Sequence, residues 1–397
     1  MAAIREKRSY YEADKVSVFL SPNKIIVGKG AAQQVGKEAK ALGSKRALIV
    51  TDPGVVKAGL IGVIEESLKS ERIKVGIFDK VEPEPPARIV DECAQMVQEG
   101  KYDLIVGVGG GSSLDTAKGA AILATNKGKV LDYVGVDTVP KRGLPKILVP
   151  TTAGTGSEVT RVFVITDEAE NTKKVVYSNF NLADVAILDP LLTLSMPPFV
   201  TADTGLDALV HAIEAFVSVN ATPFSDILAI EAISLIAHNL PVAYAKGNDI
   251  EARYNMLLAA NIAGLAFTSG GLGAVHGLAY VLGTEYHMSH GRSNAIMLPH
   301  VMKFNLIGNL PKYAKIAEAM GEEIEGLSLY EAAQKAVEAV EKLLNAVNIP
   351  YRLSEYKIPK SDLPKLVEGG MKQARLFVPN PRDLSEEDVR KIYEEAF

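Results

Sequence analysis

The sequence predicts two unlike halves: an α/β N-terminal domain built on a parallel sheet, then an all-α C-terminal domain. Three observations carry this. From Lys24 to about Asp189, short apolar runs alternate with amphipathic segments, as in a parallel sheet covered on both faces. Pro190, Pro197 and Pro198 then punctuate the stretch LDPLLTLSMPPFVTADTG, where strand signals cease. Beyond it, nearly every segment has helical period. A chain of 397 residues is too long for one ordinary core, and the boundary is set to give domains 1–193 and 194–397.

The elements follow in order. KIIVGKGAAQQVGKEAKALG reads as strand, glycine turn and helix, and RALIVTDPGVVKAGLIGVIEESLKSERI repeats that unit. KVGIFDKV is a short strand, and ARIVDECAQMVQEGKY a helix. DLIVGVGGGSSLDTAKGAAILATN is strand, glycine loop and helix, and PKILVPTTAGTGSEVT is a strand entering a polar loop. In the second half, DALVHAIEAFVSV, SDILAIEAISLIAHNL, EARYNMLLAANIAGLAF, LYEAAQKAVEAVEKLLNAV and SEEDVRKIYEEAF are helices.

Composition narrows the function. A net charge of -5 with interspersed signs argues against nucleic acid as a partner. Cys93 is the only cysteine, so an intramolecular disulfide and a thiolate metal cage are excluded, leaving His, Asp and Glu as ligands. The opening MAAIREKRSYYEADK has no apolar stretch, so no secretory signal is expected and a cytoplasmic location is. No charged residue occurs from Tyr254 to Thr284. Ser269, Gly270 and Gly271 interrupt it, so it is expected to form two buried helices joined by a glycine turn, with no membrane span.

In a parallel sheet, ligands bind at the carboxyl ends of the strands, and three features fall there. Asp52, just after ALIVT, can accept hydrogen bonds from both hydroxyls of a ribose and repel a 2′-phosphate. It equally suits a turn before Pro53. Gly109, Gly110, Gly111 and Ser112, followed by Asp115 and Lys118, let backbone amides approach a pyrophosphate at a helix N-terminus. With Ser112 at the third glycine position this is not the usual G-x-G-x-x-G fingerprint, and a plain strand-to-helix turn also fits. Thr151, Thr152 and Thr155, in TTAGTGSE, suit a loop wrapped on phosphate or nicotinamide.

All six histidines fall between His211 and His300. Asp207 and His211 stand four apart on a predicted helix, so both leave one face a turn apart and can grip one divalent cation. His276 and His290 are candidates to complete the set. They are fourteen residues apart, roughly 21 Å along a straight helix, so the chain must break between them, and Gly283 is the expected stop. His238 and His300 read as ordinary structural histidines.

Together, GGGS-x-x-D-x-x-K, PTTAGTGSE, D-x-x-x-H and H-x13-HG resemble the iron-containing, group III alcohol dehydrogenase family, over nearly the whole chain. The resemblance implies a metal-dependent alcohol dehydrogenase or aldehyde reductase that moves a hydride between NAD(H) and a small primary alcohol, diol or aldehyde. It implies Asp207, His211, His276 and His290 as ligands of Fe²⁺, with Zn²⁺ equally suited by ligand chemistry. It implies dinucleotide contacts at Asp52, Gly109, Gly110, Gly111, Ser112, Asp115, Thr151, Thr152 and Thr155, with Asp52 favouring NAD over NADP. Lys174 matches a lysine near the cofactor, and Phe163 and Phe267 are wall or core aromatics. Many members carry a histidine four after the third ligand as a proton relay, where this chain has Tyr280. His287, with Tyr280, is therefore assigned the proton path. The family often dimerises, so a homo-oligomer is expected. The rival readings are a metal- and NAD-dependent lyase of the dehydroquinate synthase type and a non-catalytic nucleotide-binding module. The lyase wants Lys and Arg about the metal, whereas Thr204–Pro299 contains only Lys246, Arg253 and Arg292.

Overall fold

The computed structural model describes residues 16–170 and 172–397. The charged opening segment read above for a leader lies outside the described residues. Strands β1 (Lys24–Val27), β2 (Arg46–Val50), β3 (Lys74–Phe78), β4 (Leu104–Gly109), β6 (Lys146–Pro150) and β9 (Val185–Leu188) form one sheet. Every pairing in it is parallel, in the order β1-β9-β6-β4-β2-β3. Because successive side chains leave opposite faces, Ala47 and Ile49 of β2 enter one core and Leu48 and Val50 the other. The first core is covered by α1 (Val35–Ala41), α2 (Pro53–Lys57) and α3 (Gly62–Ser70), the second by α4 (Ala87–Gly100) and α5 (Gly111–Leu123). The chain winds outward from β2 to β3, then crosses back to β4. A crevice therefore opens above the carboxyl ends of β2 and β4.

One element departs from the all-parallel expectation. β7 (Val162–Asp167) and β8 (Thr172–Tyr177) pair antiparallel, and β5 (Gly135–Val136) joins them in a separate three-stranded sheet. Phe163 on β7 is fully buried in the core shared with α5. The hairpin's side chains alternate, so one row packs inward and the next faces the crevice.

The second half is helical: α6 (Pro198–Val217), α7 (Pro223–Ala245), α8 (Ile250–Gly270), α9 (Ala274–Tyr286), α10 (His290–Asn305), α11 (Leu310–Ala319), α12 (Leu329–Ala346), α13 (Leu363–Met371) and α14 (Glu386–Ala396). α6 runs through the middle, buried from Gly205 to Val217 on every face. α8 and α9 meet at an angle of 111° across Gly271–Gly273, the two buried helices and glycine turn expected for the uncharged stretch. Among the described residues, α7 alone is by itself long and apolar enough to cross a membrane. It places Ala229, Ala232, Ile233, Ile236 and Leu240 in the helical core.

The halves are locked by a close backbone contact. A Cβ on Gly264 of α8 would stand 2.8 Å from Val159 Cγ2 and 2.9 Å from the Gly156 carbonyl oxygen. Beside it, the buried Asn261 amide donates to Glu158 at 2.7 Å. Gly264→Ala should therefore destabilise the protein by about 1–3 kcal/mol through overpacking, read as a lower chemical-denaturation midpoint.

Candidate metal centre and cofactor cleft

Four donor atoms converge where α6, α9 and α10 meet. Asp207, His211, His276 and His290 each offer one ligand atom, and these lie within 4.8 Å of one another. Asp207 Oδ1 is 3.7 Å from His290 Nε2 and 4.0 Å from His211 Nε2. A tetrahedral site with bonds of about 2.1 Å has ligand–ligand edges of about 3.4 Å, so modest contraction closes the cage. The His211 ring stacks on His276 at 4.9 Å and on Phe267 at 4.5 Å between centroids.

The electrostatics fit a cation. Burial would push the Asp207 carboxyl up, but His211, His290, His276 and the Asn294 amide together hold it below the usual carboxylate range. Burial lowers His211 to about 4 and His290 to about 3, against the pull of Asp207. The result is one carboxylate and imidazoles with free lone pairs, a donor set suited to Fe²⁺ or Zn²⁺. Two residues that the sequence reading overlooked complete the cluster. Asn294 Nδ2 donates to Asp207 Oδ1 at 2.7 Å and stands 3.2 Å from Nε2 of both His276 and His290. Glu214 accepts from His276 Nδ1 at 2.6 Å. Their signal in the sequence was spacing alone: Glu214 is three after His211, and Asn294 four after His290, each on the same helical face as the ligand.

The break between His276 and His290 is not at Gly283. α9 runs through that glycine to Tyr286, and His287 ends it in the left-handed conformation at φ 54°. Ser289 then caps α10, accepting from Arg292 N. Gly283 is inside the helix because its φ is ordinary and its carbonyl takes the His287 amide. His287 itself is exposed and outside the cleft, since the left-handed turn directs the chain away before His290 re-enters. Tyr280 does line the cleft, its ring centroid 5.8 Å from that of His290. Burial pushes its phenol up to about 12.

The cleft, about 180 Å³, runs from the four-residue cage to the β4–α5 turn. Gly111, Ser112, Asp115 and Thr155 line it, with Val162, Val164 and Ile165 of the hairpin and Phe267 and Leu272 opposite. Gly109 takes φ 148°, and a Cβ there would meet Ser113 Oγ at 2.5 Å and Asp52 Oδ2 at 3.2 Å. Glycine is therefore required, and Asp52 stands directly over the turn. Asp52 fills the turn role weighed for it: Oδ1 caps α2 through Gly54 N and Val55 N, while Oδ2 accepts from Ser113 at the strand ends. Thr152 is 3.5 Å and Thr155 2.9 Å from ideal Cβ positions on Gly110 and Gly111. The two loops thus face each other. Thr151 is buried, with its amide on the Gly109 carbonyl at 3.0 Å. No side chain caps α5.

Lys174 is not in the cleft. It pairs with Glu170 on the hairpin face that Ile165 shares, while its neighbour Lys173 lines the cleft. Lys173 pairs with Glu84 at 2.7 Å and lies 5.4 Å from the Tyr280 ring centroid. Adjacent strand residues point oppositely, so the register, not the KK dipeptide, decides which faces inward. Asp115 is held from within: Ser157 Oγ donates to it at 2.6 Å and Val164 N at 2.9 Å. Beneath it Lys118, fully buried, donates to Ser157 Oγ, Thr160 Oγ1 and the Val162 carbonyl at 2.9, 3.0 and 2.7 Å.

The fold and this geometry define a class: a two-domain enzyme in which a nucleotide-type cleft opens onto a metal cage. Residues 22–190 match the model of the iron-containing alcohol dehydrogenases, and 201–397 that of the C-terminal part of the Fe-containing alcohol dehydrogenase family. The chain is 47% identical to long-chain-alcohol dehydrogenase 1 of Geobacillus thermodenitrificans, covering 94% of each. It is 40% identical to NAD-dependent methanol dehydrogenase of Bacillus methanolicus, covering 95% of this chain and 99% of that one. Among solved structures, a 1,3-propanediol oxidoreductase aligns with a TM-score of 0.94 at 42% identity, over 96% of this chain and all of that one. The chain belongs to the iron-containing alcohol dehydrogenase family. It is an NAD-dependent oxidoreductase, and iron is its family's metal.

Lys118 offers a pH test of the buried network. Burial lowers its ammonium from 10.5 to about 8, against Asp115 and Glu158. Between those values the unfolded chain binds more protons, so this group makes stability rise with pH there. Urea denaturation at pH 8 and pH 10 should show wild type gaining stability relative to Lys118→Met.

Proposed function

We propose that this enzyme interconverts small primary alcohols or diols and their aldehydes, with the cofactor on residues 1–193 and the metal on 194–397. The observation that carries the reading is that the cage of Asp207, His211, His276 and His290 opens on the cleft faced by Gly111, Ser112 and Thr155. Those four side chains hold the divalent ion. The uncapped start of α5 with Gly109–Ser112 takes the pyrophosphate, and Thr151, Thr152 and Thr155 flank the nicotinamide side. Asp52 takes the adenosine ribose and disfavours a 2′-phosphate. Asp115 and Lys118 brace these loops from below. When bound, the ion supplies Lewis acidity at the substrate oxygen and NAD the hydride acceptor. Phe267, Leu272, Val162 and Ile165 make the cleft apolar, so a short carbon chain is favoured and water is displaced.

The proton leaves past Tyr280. At neutral pH its phenol stays protonated, so it passes a proton by accepting one while donating its own. His287, exposed beyond the end of α9, takes no part. Tyr280→Phe is expected to lower turnover on the order of 10²-fold, and His287→Ala to leave it unchanged, both read from NADH absorbance.

Of the rivals, a lyase for phosphorylated acids is disfavoured. Lys173 is the only Lys or Arg among the residues lining the cleft, and Glu84 neutralises it. A non-catalytic module needs no complete donor set. The same reading includes self-association: β1 is an edge strand whose Ile25 and Val27 are exposed, which supports a homodimer. Activity on short alcohols and aldehydes should disappear on anaerobic chelation and return with Fe²⁺. Full activity after verified metal removal would overturn the reading.

A further inference from the structure

We infer that Glu214 is the positioning residue of the metal centre: it fixes which nitrogen of His276 faces the cage and balances a dication there with a second buried negative charge. This rests on reading the four-residue cage as a metal site. Glu214 leaves α6 one turn beyond His211 and is 5% exposed. Both its oxygens accept. Oε1 takes the Val275 amide at 2.6 Å, and Oε2 lies 2.6 Å from His276 Nδ1. A carboxylate has only lone pairs to offer, so the proton of that bond sits on His276 Nδ1. The other nitrogen, Nε2, is left with its lone pair, and this is the atom 3.2 Å from the Asn294 amide. One contact therefore sets tautomer and ring orientation together.

The charge count points the same way. Asp207 and Glu214 are both buried, and the ion-pair partners found for them are histidines, not Lys or Arg. Burying two carboxylates without a cation is costly. With neutral imidazoles, a doubly charged ion brings the whole cluster to zero. Glu214 also ties the two segments that carry ligands: its backbone belongs to the helix of Asp207 and His211, and its side chain grips the first turn of the helix of His276. A purely structural role, pinning the start of α9 through Val275, needs only the Oε1 contact. It does not require the second oxygen to meet the imidazole.

Glu214→Gln separates the two roles. Its single oxygen can still accept from Val275, but its NH₂ group then faces His276 Nδ1 and favours the tautomer that aims a proton into the cage. Zn²⁺ and Fe²⁺ affinities should be measured anaerobically on full-length protein by chelator competition, with NAD affinity as the control. The expected result is about 10–100-fold weaker metal binding, unchanged NAD binding, and a His276 tautomer change in ¹⁵N spectra of the Zn²⁺-free protein. Should that variant fail to fold, Glu214→Asp keeps the charge on a shorter arm. It should preserve the tautomer while weakening metal binding less than tenfold. Metal affinity within twofold of wild type in the Gln variant, or in the Asp variant a changed tautomer or a loss of tenfold or more, would overturn the inference. If wild type itself takes up no stoichiometric metal, the cage reading fails instead.

Discussion

A carboxylate withdrawn from water among three imidazoles is the constraint on which the helical half depends. Asp207 is 3% exposed, and an unpaired charge so placed costs several kcal/mol. The protein answers by surrounding it with groups that favour the ionised form: two nearby His Nε2 atoms, the Asn294 amide and, when bound, a cation. This requires α6, α9 and α10 to meet at one point. The close approach of α10 to α6 is possible because Gly291 follows His290: a Cβ there would fall 2.1 Å from the Asp203 carbonyl oxygen. The sharp turn between α8 and α9 serves the same end by bringing His276 back under α6.

The second requirement is that this cluster face the glycine-rich turn and the threonine loop. The loop after β6 supplies that link. Its upper part carries Thr152 and Thr155 toward the β4–α5 turn, and its lower part, Gly156 to Val159, packs backbone to backbone on α8. The buried chain from Asp115 through Ser157 to Lys118 and Thr160 fastens the loop to α5 and to the hairpin. A single short segment thus touches the β4–α5 turn, the hairpin and the helices of the four-residue cage.

The hairpin closes the cleft. Its crevice-facing apolar row, Val162 and Val164, forms one wall, and Lys173 brings the single cationic group of the lining to the side where Tyr280 stands. The pairing of Lys173 with Glu84 leaves no net charge in that wall. This agrees with an uncharged alcohol or aldehyde as substrate better than with a phosphorylated acid.

Much of this was legible in the sequence. Periodicity distinguished the parallel sheet from the helical half, and the four candidate ligands were named from type and spacing, because a helix places i and i+4 on one face regardless of what surrounds it. The glycine-rich turn and the threonine loop were recognisable because strand ends in such sheets are where ligands bind. Local pattern could not say which of Lys173 and Lys174 faces inward, since that depends on register against β7. It could not place the break before His290, because the left-handed position falls on His287, a residue with no glycine preference to mark it, where the amides of His287 and Met288 close on the last turn of α9. Nor could it find Glu214 or Asn294, whose meaning comes only from the histidines they meet across helices. The sequence by itself determined the elements and the donor types, which follow from local propensity and chemistry. Only the tertiary structure decided orientation, partners and proton placement, because those follow from distances between residues far apart in sequence, as Asp207 and Asn294 are by 87 positions.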